Sequence, residues 1–226
     1  MNEFVDEAAL VLALSTAIAT QLRAGIETRG SAYLVVSGGR SPVPLFRALS
    51  VAEIDFSKVT ILLADERWVP RDHADSNARL VAEHLCQDRA RAATLLQYYR
   101  SGVTLEAQVQ QLDPVVGQLP IFDAVVLGMG LDGHTASLFP DTKALTEGLN
   151  LASPHSVLAV KSLSAPHARL TLTAARLLRT HSLYLPIIGH DKRRVLLAAA
   201  KAEIERLPIG RFLQQSKASL EVYWAA

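Results

Sequence analysis

The chain has 226 residues, half of them hydrophobic and a fifth charged, with a formal net charge of +1; this composition excludes a disordered chain and suits one domain with a sizeable core. The balanced charge excludes the electrostatic footprint expected of a nucleic-acid or membrane-surface binder. The single cysteine, Cys86, excludes an intramolecular disulfide and suits a reducing compartment.

The predicted elements run in chain order as follows. Glu3 to Glu27 reads as a long first helix. Its apolar stretch Ala8–Ala19 follows Asp6 and Glu7 without a basic n-region or cleavage site, so it reads neither as a targeting signal nor, at that length, as a membrane span. Ala32 to Val36 is a strand, Pro42 to Leu49 a short helix, Val59 to Ala64 a strand and Asn77 to Leu85 a helix that takes Cys86 as a packing residue. Leu105 to Val116 is helical, with Pro114 expected to end it early. Phe122 to Leu127 and Val157 to Val160 are strands, Leu172 to Leu178 a helix, Leu183 to Ile188 a strand, Lys192 to Lys201 a helix and Leu220 to Trp224 a final strand. Pro186 sits awkwardly in its strand, because proline removes a ladder donor. Alternation of strands and helices predicts an α/β fold: one domain over 1–226, a mostly parallel sheet covered by helices on both faces, in a Rossmann-like three-layer arrangement.

Three polar segments follow apolar strands directly, and strand-end loops emerge on one edge of a parallel sheet, where ligands bind. The most informative is Gly128-Met129-Gly130-Leu131-Asp132-Gly133-His134. Its glycines permit a sharp turn and close backbone approach to a ligand, and it delivers His134, a side chain suited to general base chemistry near neutrality. Gly128-x-Gly130-x-x-Gly133 also matches a dinucleotide fingerprint, but Pro140 and Asp141-Thr142-Lys143 cut short the helix that motif needs. No nucleotide or other cofactor is therefore expected.

The second segment, Ser37-Gly38-Gly39-Arg40-Ser41-Pro42, has the features of an anion cradle. Gly38 and Gly39 expose amides, Ser41 can cap the next helix with Pro42 at its first position, and Arg40 adds a fixed positive charge. The third, Asp65-Glu66-Arg67, offers a carboxylate for sugar hydroxyls or water and an arginine for an anion; an internal salt bridge is the competing reading. Asp72, His73, Asp75, Ser76 and Asn77 follow with mixed spacing that matches no compact ligand motif, so no metal is expected.

Taken in order, and with Gly189-His190-Asp191-Lys192 near the end, these segments resemble the 6-phosphogluconolactonases, in the superfamily of the glucosamine- and galactosamine-6-phosphate isomerases. The resemblance implies a cytoplasmic enzyme that hydrolyses 6-phosphogluconolactone in the pentose phosphate route. It implies that His134 activates water, that Asp132 orients His134 or the water, and that Gly38, Gly39, Arg40 and Ser41 contact the phosphorylated substrate. Asp65, Arg67 and Gly130 join the substrate site, and Arg169 and Lys192 hold the phosphate. The amides of the glycine turn are expected to stabilise the oxyanion. The expected partner is the small phosphorylated sugar lactone, with no nucleic acid or membrane. Two alternatives remain: a glucosamine-6-phosphate deaminase/isomerase, whose Asn-Glu-Pro element is replaced here by Ser137-Leu138-Phe139-Pro140, and a non-catalytic sugar-phosphate sensor.

Overall fold

Residues 1–226 are all described in a computed structural model. Its scaffold is a seven-stranded sheet in the order β1-β10-β9-β6-β2-β3-β5, flanked by helices. The strands are β1 (Asn2–Phe4), β2 (Ala32–Val36), β3 (Val59–Leu63), β5 (Thr94–Leu95), β6 (Phe122–Val126), β9 (Thr180–Ile188) and β10 (Leu220–Ala225). Every pairing in it is parallel. Parallel strands joined by helical crossovers are buried on both faces, which explains the unbroken apolar runs: all five residues of β6 are buried.

Chain order reverses between β2 and β6. From β2 the sheet grows outward through β3 and β5, and from β6 through β9 and β10. The crevice outside the strand ends at such a reversal is the ligand position of open α/β sheets.

The first helix, α1 (Glu7–Arg29), begins four residues later than expected. Asp6 stops it at the N-terminal end, its side chain accepting from Ala9 N at 2.8 Å, and Gly30 ends it in the left-handed conformation at φ 75°. Asn2–Phe4 instead pairs as an edge strand with β10, and Phe4 stacks on Tyr223. The whole of α1 is long and apolar enough to cross a bilayer. Here Leu10, Leu14, Ile18 and Leu22, four residues apart, are buried as one stripe in the core of the fold.

Further helices are α2 (Val43–Ser50), α3 (Asn77–His84), α4 (Leu105–Gln118), α5 (Leu145–Leu149), α6 (Ala174–Leu177), α7 (His190–Ala199) and α8 (Gly210–Leu213). Pro114 does not end α4, which runs on to Gln118; the proline forfeits one backbone bond and the helix keeps its buried face of Leu105, Leu112 and Val116. α7 begins two residues before the expected Lys192.

A second, three-stranded antiparallel sheet stands apart, in the order β4-β8-β7. It comprises β4 (Asp65–Arg67), β7 (Val157–Val160) and β8 (Arg169–Leu172). The expected helix over Leu172–Leu178 is thus divided: Leu172 closes β8, and Thr173 caps the single turn α6 by accepting from Arg176 N.

Pro186 lies in the central sheet without breaking it. It shares the parity of Tyr184, whose carbonyl accepts Leu127 N at 2.9 Å on the β6 side. The register of β6 on β9 ends at Val126–Tyr184, so the donor that Pro186 lacks would fall beyond the last paired residue of β6.

Candidate active site

The ends of β9, β6, β2 and β3 enclose a cavity of about 280 Å³, the size for one small polar ligand. Gly38, Gly39, Ser41, Asp65, Arg67, Gly130, His134, Arg169 and Lys192 all line it. Nine side chains and backbone segments singled out from sequence therefore converge, although Gly38 and Lys192 stand at opposite ends of the chain.

The glycine turn is built around His134. Gly130 N donates to His134 O at 2.9 Å, Gly133 N to Gly130 O at 3.0 Å, and Gly133 takes φ 75°. A Cβ on Gly130 would lie 2.3 Å from His134 Nδ1 and 2.4 Å from Asp132 Oδ1; only glycine leaves room for this pair. Asp132 Oδ1 meets His134 Nδ1 at 2.6 Å and also accepts His134 N at 3.2 Å. The contact with His134 holds the Asp132 carboxyl below the usual carboxylate range. An ionised Asp132 draws the imidazole proton to Nδ1 and leaves Nε2 as the basic atom. Phe139 buttresses the ring with centroids 4.3 Å apart. Asp132 itself is exposed and acts on the cavity only through His134.

Of the turn's amides, expected to stabilise the oxyanion, that of Met129, a residue of the cavity wall, donates to no acceptor within the chain. Gly128 N donates to Ser37 Oγ at 3.0 Å, and the amides of Gly130 and Gly133 are engaged within the turn. Further free amides lie on the other loop, where none of the N–H groups of Gly38, Gly39, Arg40 and Ser41 donates within the chain. This loop opens α2, so its unpaired amides and the helix dipole favour an anion. Pro42, not Ser41, occupies the cap position, and no side chain caps the helix. Gly38 is required because a Cβ there would meet Asn77 Oδ1 at 1.9 Å.

Arg40, expected to contact the substrate, is not among the lining residues. It is exposed and lies outside the cavity wall, because the loop presents its backbone inward and directs this side chain to solvent. The cations of the cavity are Arg67, Arg169 and Lys192.

The small antiparallel sheet brings in two of them. Arg67 and Arg169 are directly opposed in register, an arrangement that is unfavourable for like charges. Asp65 offsets part of that repulsion, its Oδ2 lying 3.4 Å from Arg169 Nη1. Burial pushes the Arg169 guanidinium below the usual arginine range, and Asp65 opposes that shift. The Nε atoms of Arg67 and Arg169 are buried with no partner. Burial likewise lowers the Lys192 ammonium from its ordinary value. Unpaired donors and desolvated cations make this wall receptive to a phosphate.

Glu66 is no part of the cavity. It points to the opposite face of β4 and accepts from Arg67 N, Asn77 N, Ala78 N and Ser76 Oγ at 2.7–3.2 Å, fastening α3 to the strand. Sequence reasoning missed Asn77 and Ser137 as parts of the site. Asn77 lines the cavity and donates Nδ2 to Asp65 O at 2.9 Å; as the first residue of a helix it carries no local sign of that role. Ser137 Oγ donates to Asp65 Oδ2 at 2.5 Å and fixes the carboxylate that holds Arg169.

Comparison with known proteins bears on what this cavity accommodates. The family model described as glucosamine-6-phosphate isomerases/6-phosphogluconolactonase matches residues 5–224. A 6-phosphogluconolactonase of Pseudomonas putida is 42% identical over 225 residues, covering 99% of this chain and 92% of the relative. Another, of Rhizobium meliloti, is 40% identical and covers 100% and 98%. The crystal structure of a 6-phosphogluconolactonase from Shewanella baltica superposes with a TM-score of 0.95 at 40% identity, covering 100% of this chain and 97% of that one. Family match, near-complete coverage and a shared architecture agree, and the chain belongs to the glucosamine-6-phosphate isomerase/6-phosphogluconolactonase family.

Proposed function

We propose that this protein hydrolyses 6-phospho-D-glucono-1,5-lactone to 6-phospho-D-gluconate, with His134 as the general base. The observation that carries the mechanism is the Asp132–His134 pair, held at 2.6 Å on the rim of a cavity with three inward cations. Water attacks C1 of the lactone and passes a proton to His134 Nε2. The tetrahedral oxyanion then collapses, the bond from C1 to the ring oxygen breaks, and His134 returns the proton to that oxygen. The free amides of Gly38–Ser41, with Arg169 and Lys192, hold the phosphate at the non-reacting end; Asp65, Arg67 and Asn77 face the sugar. Asp132 orients the imidazole and stabilises its charged form. The same reading makes the sugar lactone the protein's partner and the cytoplasm its place of work.

The position of Ser137 and Phe139 favours hydrolysis over deamination and isomerisation. Where the deaminases are expected to bring a glutamate, this chain buries Ser137 against Asp65 and packs Phe139 on His134, leaving no carboxylate at that position for ring opening. The test is acid release from freshly made lactone, corrected for spontaneous opening, in chelator without added nucleotide. Acceleration with no ammonia from glucosamine 6-phosphate supports the assignment; ammonia release without lactonase activity overturns it.

A further inference from the structure

Outside the cavity, three metal-binding side chains meet that no step of lactone hydrolysis uses. His73 and Asp75 come from the segment between β4 and α3, and His167 from the segment leading into β8. One donor atom from each lies within 4.8 Å of the others. Asp75 Oδ2 is common to both contacts, 2.8 Å from His167 Nε2 and 3.9 Å from His73 Nδ1. Ligand atoms on a tetrahedral ion with bonds of about 2.0–2.1 Å stand about 3.4 Å apart, a spacing these two distances bracket. The two rings meet edge to face with centroids 5.4 Å apart.

From this juxtaposition we propose that His73, Asp75 and His167 form an accessory site for a first-row divalent cation, zinc above all, with one coordination position left to water. Two imidazoles and one carboxylate are a borderline donor set that suits zinc better than calcium or magnesium, which prefer oxygen. The ion takes the place of the proton between His167 Nε2 and Asp75 Oδ2, with His167 keeping its remaining proton on Nδ1. His73 Nδ1, which accepts Asp75 N at 3.0 Å, exchanges that amide for the ion by a turn of an exposed ring. Asp75 O also accepts Arg67 Nη1 at 2.6 Å, and His167 precedes Arg169 by two residues on the same strand approach. A bound ion therefore ties together the two segments that carry the cavity's arginines, and its role is to brace them, not to touch the reacting atoms. Residues 72–77 alone gave no ligand set because the third donor comes from 92 residues away.

The test is titration of chelator-stripped, full-length protein with Co²⁺ followed by visible absorption, and with Zn²⁺ followed by calorimetry. One ion per chain is expected, with tetrahedral Co²⁺ bands and a higher melting temperature in Zn²⁺. His73→Ala, Asp75→Asn and His167→Gln should each weaken binding by more than about tenfold, since loss of even an outer partner of a ligand costs that much. His134→Asn should bind as the parent does, separating this site from the imidazole of the cavity. Melting of the stripped variants shows that they are folded, and His73→Ala should keep the parent's hydrolysis rate in chelator. No binding by the folded parent, or binding that survives all three substitutions, overturns the site and leaves a surface hydrogen-bond cluster.

Discussion

At the scale of single residues, His134 and Lys192 make separable claims. Replacing His134 by alanine should lower kcat by about 10²–10⁴-fold, the usual cost of losing a general base, while 6-phosphogluconate still binds. Near-parental turnover in a folded His134→Ala protein would remove the residue from the mechanism. Lys192→Ala should forfeit a charge-assisted contact of about 1.5–3 kcal/mol, roughly 10–150-fold in kcat/KM, on the 6-phosphorylated lactone and little on its unphosphorylated counterpart. Arg40→Ala, its side chain turned to solvent, should discriminate far less between the two substrates. Equal penalties on both substrates for Lys192→Ala would place the phosphate elsewhere. Since burial lowers the Lys192 ammonium from its ordinary value, its charge is lost earlier than usual as pH rises. KM for the phosphorylated lactone should therefore climb on the alkaline side, and Lys192→Arg, with a guanidinium that stays charged, should flatten that climb in pH-dependent steady-state kinetics.

Among the elements, α1 is stabilised at its start by one side chain. Asp6→Ala removes the acceptor for Ala9 N and should cost about 0.5–2 kcal/mol in denaturant melts; no loss would show that the first turn gains nothing from its cap. The strands and helices that place Ser37, Asp65 and Gly128 were legible because each follows a continuous apolar run, the mark of a buried parallel strand. Of the small antiparallel sheet only β7, Val157–Val160, was. Asp65-Glu66-Arg67 carries three charges in three residues, and its stability comes from pairing with β8 and from donors on Glu66, three of which lie 10–12 residues away. Leu172, the last residue of β8, was taken into the apparent helix Leu172–Leu178 because the break between them is only the cap at Thr173. The cavity's membership was readable from loops after strands. The outward turn of Arg40 and the inward turn of Asn77 depend on how Gly38 packs against Asn77, a contact between loops that no spacing announces.

For the molecule as a whole, stability rests on the stripe of α1 against the core of the sheet, and function on the crevice where strand order reverses. These separate in one substitution. Ile18 is fully buried and takes no part in the cavity wall, so Ile18→Ala should cost about 2–5 kcal/mol of stability while kcat and KM at 25 °C stay near parental values. A large change in KM with little change in melting would mean that α1 shapes the site more than it supports the fold. The pairing of β1 with β10 also has a consequence for the chain's birth. The first strand made must wait for the last, and at about 5–20 residues per second of synthesis that interval is tens of seconds. During it, α1 has left the ribosome with an apolar face whose neighbours β2 and β6 arrive early, while β9 and β10, which it also touches, do not yet exist. The nascent chain thus displays part of the buried face of a helix long and apolar enough to cross a bilayer until β9 and β10 have been made.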